Sequence, residues 1–112
     1  MLVCVPVGAN GVVDPRWGRA ARVAVADLRD GAILTWHEFD VGWDRLHDEG
    51  TEGGHHARVA GFLREHQVDT VVAHHMGDPM IQMMERMGIT LRLGASGLAR
   101  EAVVAGAKAT PA

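Results

Sequence analysis

The sequence predicts an α/β domain on a mixed five-stranded sheet, with elements in the order β-β-β-α-β-α-β-α. Three observations carry this. Leu2 to Val7 and Val68 to Ala73 are compact apolar runs of strand length, the second nearly continuous, as in a strand covered on both faces. An Asp30-Gly31 step separates two strand-like segments, the signal of a hairpin. Helical spacing and capping residues then alternate with short apolar segments.

The elements follow in order. Leu2 to Val7 is the first strand, and Gly8-Ala9-Asn10-Gly11 is turn chemistry. Arg22 to Leu28 is the second strand; Arg29-Asp30-Gly31 turns the chain, and Ala32 to Phe39 returns as the third. Asp40 to Gly54 reads as a long polar loop rich in glycine, a length usually tied to function. His55 to His66 is the first helix, with His56, Ala60 and Leu63 on one face and His55, Val59 and Phe62 beside it. The fourth strand is Val68 to Ala73. Asp78 as N-cap, Pro79 at the first helical position and Gly88 as C-cap bound the second helix. Ile89 to Leu93 is the fifth strand, Gly94 to Gly97 a turn, and Leu98 to Ala105 the last helix. Residues 1–106 form one domain, and residues 107–112 read as a flexible tail.

Chain direction locates the rim. With right-handed crossovers, the first, third, fourth and fifth strands run the same way. The start of the His55 helix, His74-His75 and the loops holding Arg16, His47 and Gly94 to Gly97 then share one end of the sheet, with His66 at the other.

Composition narrows the function. The net charge is −3 and no basic block is present, so no nucleic-acid footprint is visible. The single cysteine, Cys4, excludes an intrachain disulfide; mid-strand, it reads as an inert small hydrophobe. No apolar run approaches the roughly 20 residues of a membrane span, and the first residues are too short and uncharged for a signal peptide. A cytoplasmic protein without membrane partners is expected.

Seven histidines stand in the 112 residues, four of them in two adjacent pairs, His55-His56 and His74-His75. Both pairs fall at element ends, where open α/β sheets hold ligands. Neutral imidazole is a common ligand for borderline transition metals. His55 and His56 sit at a helix start, where unpaired N–H groups favour anions, and Gly50, Gly53 and Gly54 before them allow close backbone approach. His74 and His75 alternate across the sheet, so only one faces a given side. His47 lies in an acidic loop and could close over a bound metal; otherwise that loop is solvated surface. His37 and His66 read as structural. Met80, Met83, Met84 and Met87 follow helical spacing and read as core, whereas Met76 at the rim is a candidate ligand.

The opening Val3-Cys4-Val5-Pro6-Val7, Gly18-Arg19-Ala20, Gly54-His55, Met76-Gly77, Met87-Gly88-Ile89 and Gly94-Ala95-Ser96-Gly97, in this order and spacing, resemble the dinitrogenase iron–molybdenum cofactor biosynthesis family. The resemblance covers residues 1 to about 106. It implies a ribonuclease-H-like three-layer fold and a nitrogen-fixation-like role. Members of that family carry or deliver metal clusters, such as nitrogenase cofactor precursors or a mixed molybdenum–copper sulfide, and are mostly carriers, not enzymes. Where the family often has His-Phe-Gly-Arg, this chain has Arg16-Trp17-Gly18-Arg19, a fixed cation in place of a ligand. Its guanidinium suits an anionic cluster or oxyanion.

Enzymatic readings find no support in the residues. A two-metal nuclease on such a sheet needs carboxylates on the first and fourth strands, and Cys4 and Val71 to Ala73 supply none. Ser96 has no evident base, and no phosphate-loop or dinucleotide fingerprint is present. The expectation is a non-catalytic carrier of a transition metal or a metal–sulfur or metal–oxo cluster, exchanging it with a donor or acceptor protein. The expected ligands are His55, His56, His74 and His75, with His47 and Met76 auxiliary; Arg16, Gly53, Gly54 and Gly77 contact the cargo. The alternative is an anion or small-metabolite binding module that uses Arg16, Gly94 to Gly97 and the helix N-terminus.

Overall fold

The computed structural model describes residues 1–108. Five strands form one sheet in the order β3-β2-β1-β4-β5. They are β1 (Leu2–Pro6), β2 (Val23–Arg29), β3 (Ala32–Phe39), β4 (Thr70–Val72) and β5 (Thr90–Arg92). β1 pairs antiparallel with β2 and β2 with β3, while β1–β4 and β4–β5 are parallel. The expected chain directions therefore hold. Asp30 and Gly31 both adopt positive φ, as the tight β2–β3 turn requires.

Among the described residues, four α-helices connect or cover the strands: α1 (Trp43–Leu46), α2 (Glu52–Glu65), α3 (Asp78–Arg86) and α4 (Ala99–Lys108). Alternation along the strands divides the core. Val3, Val5, Ala24, Ala26 and Val72 pack with Ala99 and Val103 of α4. Cys4, Val23, Val25 and Val71 pack with Trp17, Trp43, Leu63, Met80 and Met84. This is the three-layer arrangement, helix on sheet on helices. β4 is shorter than the expected Val68 to Ala73, and all of it is buried, Thr70 included.

Several boundaries differ from the sequence reading. The region from Asp40 to Gly54 contains α1, anchored by Trp43, which is buried; the Gly42 and Trp43 N–H groups donate to the Ala21 and Ala20 carbonyls. α2 begins at Glu52, three residues before His55, because Thr51 caps it: its Oγ1 accepts from the Gly54 N–H at 3.0 Å. Gly53 and Gly54 are therefore helical, not an open loop. Gly77, not Asp78, is the N-cap of α3, and no side chain caps it. Gly88, at φ +73, follows the C-cap Met87 as a left-handed terminator. α4 runs through Ala107 and Lys108, so the expected tail is helical there; residues 109–112 of that tail lie outside the described residues.

The link between β1 and β2 positions the site. Val7 bridges Val13, Val12 bridges Leu98, and Arg16 bridges His75 in parallel. This lays Arg16 to Arg19 across the end of β4, beside the segment that leads into α3.

Candidate functional site at the rim of the sheet

A cleft of about 290 Å³ opens at this rim. Arg16 to Arg19, His47, the start of α2 and the β4–α3 link, Met76 and Gly77 included, line it. His47, His55, His56 and His75 all border it, so four of the five rim histidines converge there.

Each adjacent pair is nevertheless split. His74 is exposed and turned away: its Nδ1 donates to the Ala95 carbonyl at 3.1 Å, which fixes its tautomer. His75 is exposed and lines the cleft. His55 is 2% exposed, and both ring nitrogens are engaged. Its Nε2 lies 2.8 Å from the Gly18 carbonyl, and a carbonyl only accepts, so Nε2 carries the proton. Its Nδ1 lies 2.9 Å from Arg58 Nη1 and accepts. Arg58 also donates to the Leu46 carbonyl at 3.2 Å. Neutral His55 thus ties α2 to the Gly18 backbone, and through Arg58 to the end of α1. Burial lowers its pKa, with smaller opposition from the Gly18 bond and smaller lowering from His47, Arg58 and His56. The His55 N–H donates to the Thr51 carbonyl, so it is not among the unpaired N–H groups of the helix start.

His56 is half-buried, with Nε2 4.0 Å from Glu52 Oε1. The His47 ring sits edge-on to His55 at 5.0 Å, and its Nδ1 lies 3.3 Å from Asp48 Oδ1. Met76 is 4% exposed and packs in the core at the cleft floor. Gly53 and Gly54 do not line the cleft. Cys4 lies in the core, and burial raises its thiol pKa far above the ordinary value. His66 packs on Phe39 and Phe62, with ring centroids 4.5 and 4.4 Å apart.

The donor set decides what fits. Among the described residues, no three His, Cys, Asp or Glu side chains are arranged to hold a metal ion. The lining instead offers the Arg16 and Arg19 guanidiniums, imidazoles, and one carboxylate, Glu52. Trp17 also borders the cleft, and its indole N–H is buried beneath the surface without a hydrogen-bond partner. Such a lining suits an anion carrying several acceptor atoms better than a bare cation.

Sequence reasoning missed Trp17, Arg19, Trp43 and Arg58 as site residues. Arg58 had a signal, since it stands one helical turn after His55 at i, i+3. Trp43 had another: a lone tryptophan in a polar stretch anchors it.

Among solved structures, the chain matches the protein PH0822 with TM-score 0.74 and 18% identity, covering 95% of this chain and 92% of that one. It matches the apo form of the orange protein from Desulfovibrio gigas with TM-score 0.73 and 25% identity, over 91% and 82% of the two chains. A Thermotoga protein of the DUF35 family, TM1290, matches with TM-score 0.67 and 19% identity, over 96% and 87%. No curated protein matches. The family model for the dinitrogenase iron-molybdenum cofactor matches residues 1–109, and the chain belongs to that family.

Proposed function

We propose that this protein is a non-catalytic carrier that holds a small metal cluster, as an anion, in the rim cleft and passes it to another protein. Membership of the iron-molybdenum cofactor family supports a cluster-related role. The observation that carries the anionic form is the lining: two guanidiniums at a cleft where, among the described residues, no three-ligand metal site is found. Arg16 and Arg19 balance the cargo's charge. His56 and His75 donate to, or ligate, its outer atoms, and His47 closes from α1. His55 is a positioning residue that holds the Gly18 backbone. No thiolate anchors the cargo, since Cys4 is buried in the core. A cluster held by hydrogen bonds and charge exchanges readily, which suits hand-over rather than storage. No helix among the described residues is long and apolar enough to cross a membrane.

Titration with tetrathiomolybdate, as an anionic metal–sulfide probe, against zinc chloride at pH 7 tests this reading. Tetrathiomolybdate should bind, and Arg16→Ala with Arg19→Ala should weaken it about tenfold, the loss of roughly 1.4 kcal/mol of charge-assisted hydrogen bonding. Preference for zinc, undiminished in that double variant, would overturn the anionic reading. Binding of phosphate equal to that of tetrathiomolybdate would favour the anion-module alternative.

A further inference from the structure

A second, larger depression runs between α2 and α3, about 620 Å³ in volume. Its floor is apolar: Leu63, Val68, Met83, Met87 and Ile89. Its rim carries Arg64 from α2 and Arg86 from α3, with Gln67 and Gln82, and no carboxylate lines it. Both arginines are exposed, and neither forms an ion pair among the described residues. In a chain of net charge −3, a groove whose lining carries two arginines and no carboxylate is a local reversal of sign. His56 and Pro79 line both this groove and the rim cleft, so the two are continuous.

We propose that the α2–α3 groove docks an acidic amphipathic segment of the protein that exchanges cargo with this one. Apolar side chains of that segment would fill the floor over Met83 and Met87, whose unbranched thioethers adapt to varied shapes. Its flanking carboxylates would pair with Arg64 and Arg86, arginine being a residue that commonly anchors interfaces. α3 spans nine residues, so the groove accepts about two turns of helix. Because His56 and Pro79 border both the groove and the cleft, a segment docked along the groove reaches the cargo. The purpose of docking rests on the carrier reading; the docking itself does not, and the two are separable by experiment.

The probe is a fluorescein-labelled peptide of about twelve residues, leucines at helical spacing with glutamates on both flanks. Fluorescence anisotropy should show binding to the wild-type protein that weakens with added salt. Arg64→Glu with Arg86→Glu should reduce it at least about tenfold, and a lysine-flanked version of the peptide should then prefer the double variant. Tetrathiomolybdate binding should be unchanged in that variant, since neither arginine lines the cleft. Should the variant fail to fold, replacing the peptide's glutamates by glutamines tests the same pairing on the wild-type protein, with about tenfold weakening expected. No binding of the glutamate peptide, or binding indifferent to both the arginines and the glutamates, would overturn the proposal. So would sedimentation showing that the wild-type protein dimerises through Arg64 and Arg86, because the occupant would then be a second copy. Loss of tetrathiomolybdate binding with peptide binding intact would instead count against the carrier reading alone.

Discussion

On one face of the sheet, Val3, Val5, Ala24, Ala26 and Val72 meet Ala99 and Val103 of a single helix. On the other, Cys4, Val25 and Val71 meet Trp17, Trp43, Met76, Met80 and Met84 beneath the segments that carry both the cleft and the groove. Alanine and β-branched valine fill space with few rotamers, so the α4 face sets a close and stiff distance. Methionine has three rotatable bonds and tolerates rearrangement. The two depressions proposed for cargo and partner thus open where the packing is adaptable, and the opposite face holds the sheet's shape. Substitutions that read stiffness on each face can break this contrast.

The largest effect is expected at Met84, which is fully buried. Met84→Gln both removes apolar burial and places an amide among apolar neighbours, at a cost of about 3–5 kcal/mol. Met84→Leu should cost under about 1.5 kcal/mol if that face adapts. Urea unfolding checks both. A loss from Met84→Leu as large as that from Met84→Gln would show this face to be as rigid as the other.

His55 is next. His55→Ala strips the Gly18 carbonyl and Arg58 of a partner and leaves a hole beside Trp43, about 2–3 kcal/mol. The pH dependence identifies the cause. The folded pKa lies below the ordinary 6.5, so below that value the unfolded chain binds more protons than the folded one. Wild-type stability should therefore fall as pH drops through about 6.5 and level off below the folded value, and the variant should lose that part of the slope. Thermal unfolding between pH 7.5 and 5 reads it; parallel curves for the two proteins would remove His55 from the neutral, buried role.

Much of this architecture was legible in the chain. Continuous apolar runs marked β1 and β4, the Asp30-Gly31 step fixed the hairpin, and handedness alone then placed the histidine pairs at one rim. The fate of individual histidines was not legible. β4 ends at Val72, so strand alternation does not decide how His74 and His75 part; His75 is held at the cleft by its bridge to Arg16, a pairing between distant segments. His55 looked like a ligand because sequence shows an imidazole and not its partners; a backbone carbonyl 37 residues away and an arginine one turn on take both nitrogens. The helix start was misplaced because glycines at 53 and 54 suggested a loop, whereas a threonine cap outweighs about 1 kcal/mol of propensity per glycine only in the packed context.

The smallest effects separate two glycines, each inside a helix. A Cβ on Gly106 of α4 would stand 2.8 Å from Val72 Cγ2, on a buried and rotamerically stiff side chain. Gly106→Ala gains helix propensity but must push α4 off β4, and overpacking of about 1–3 kcal/mol outweighs the gain. A Cβ on Gly61 of α2 meets nothing within 4 Å, and the position is exposed. Gly61→Ala should therefore stabilise the protein by about 0.5–1 kcal/mol, since it only removes backbone freedom from the unfolded chain. The pair is the sharpest reading of the contrast between faces, because the same methyl group is added to two helices and the expected signs are opposite. Equal stabilisation by both changes would show that α4 can shift on β4 without loss, and the α4 face would then be no stiffer than the one that carries the cleft.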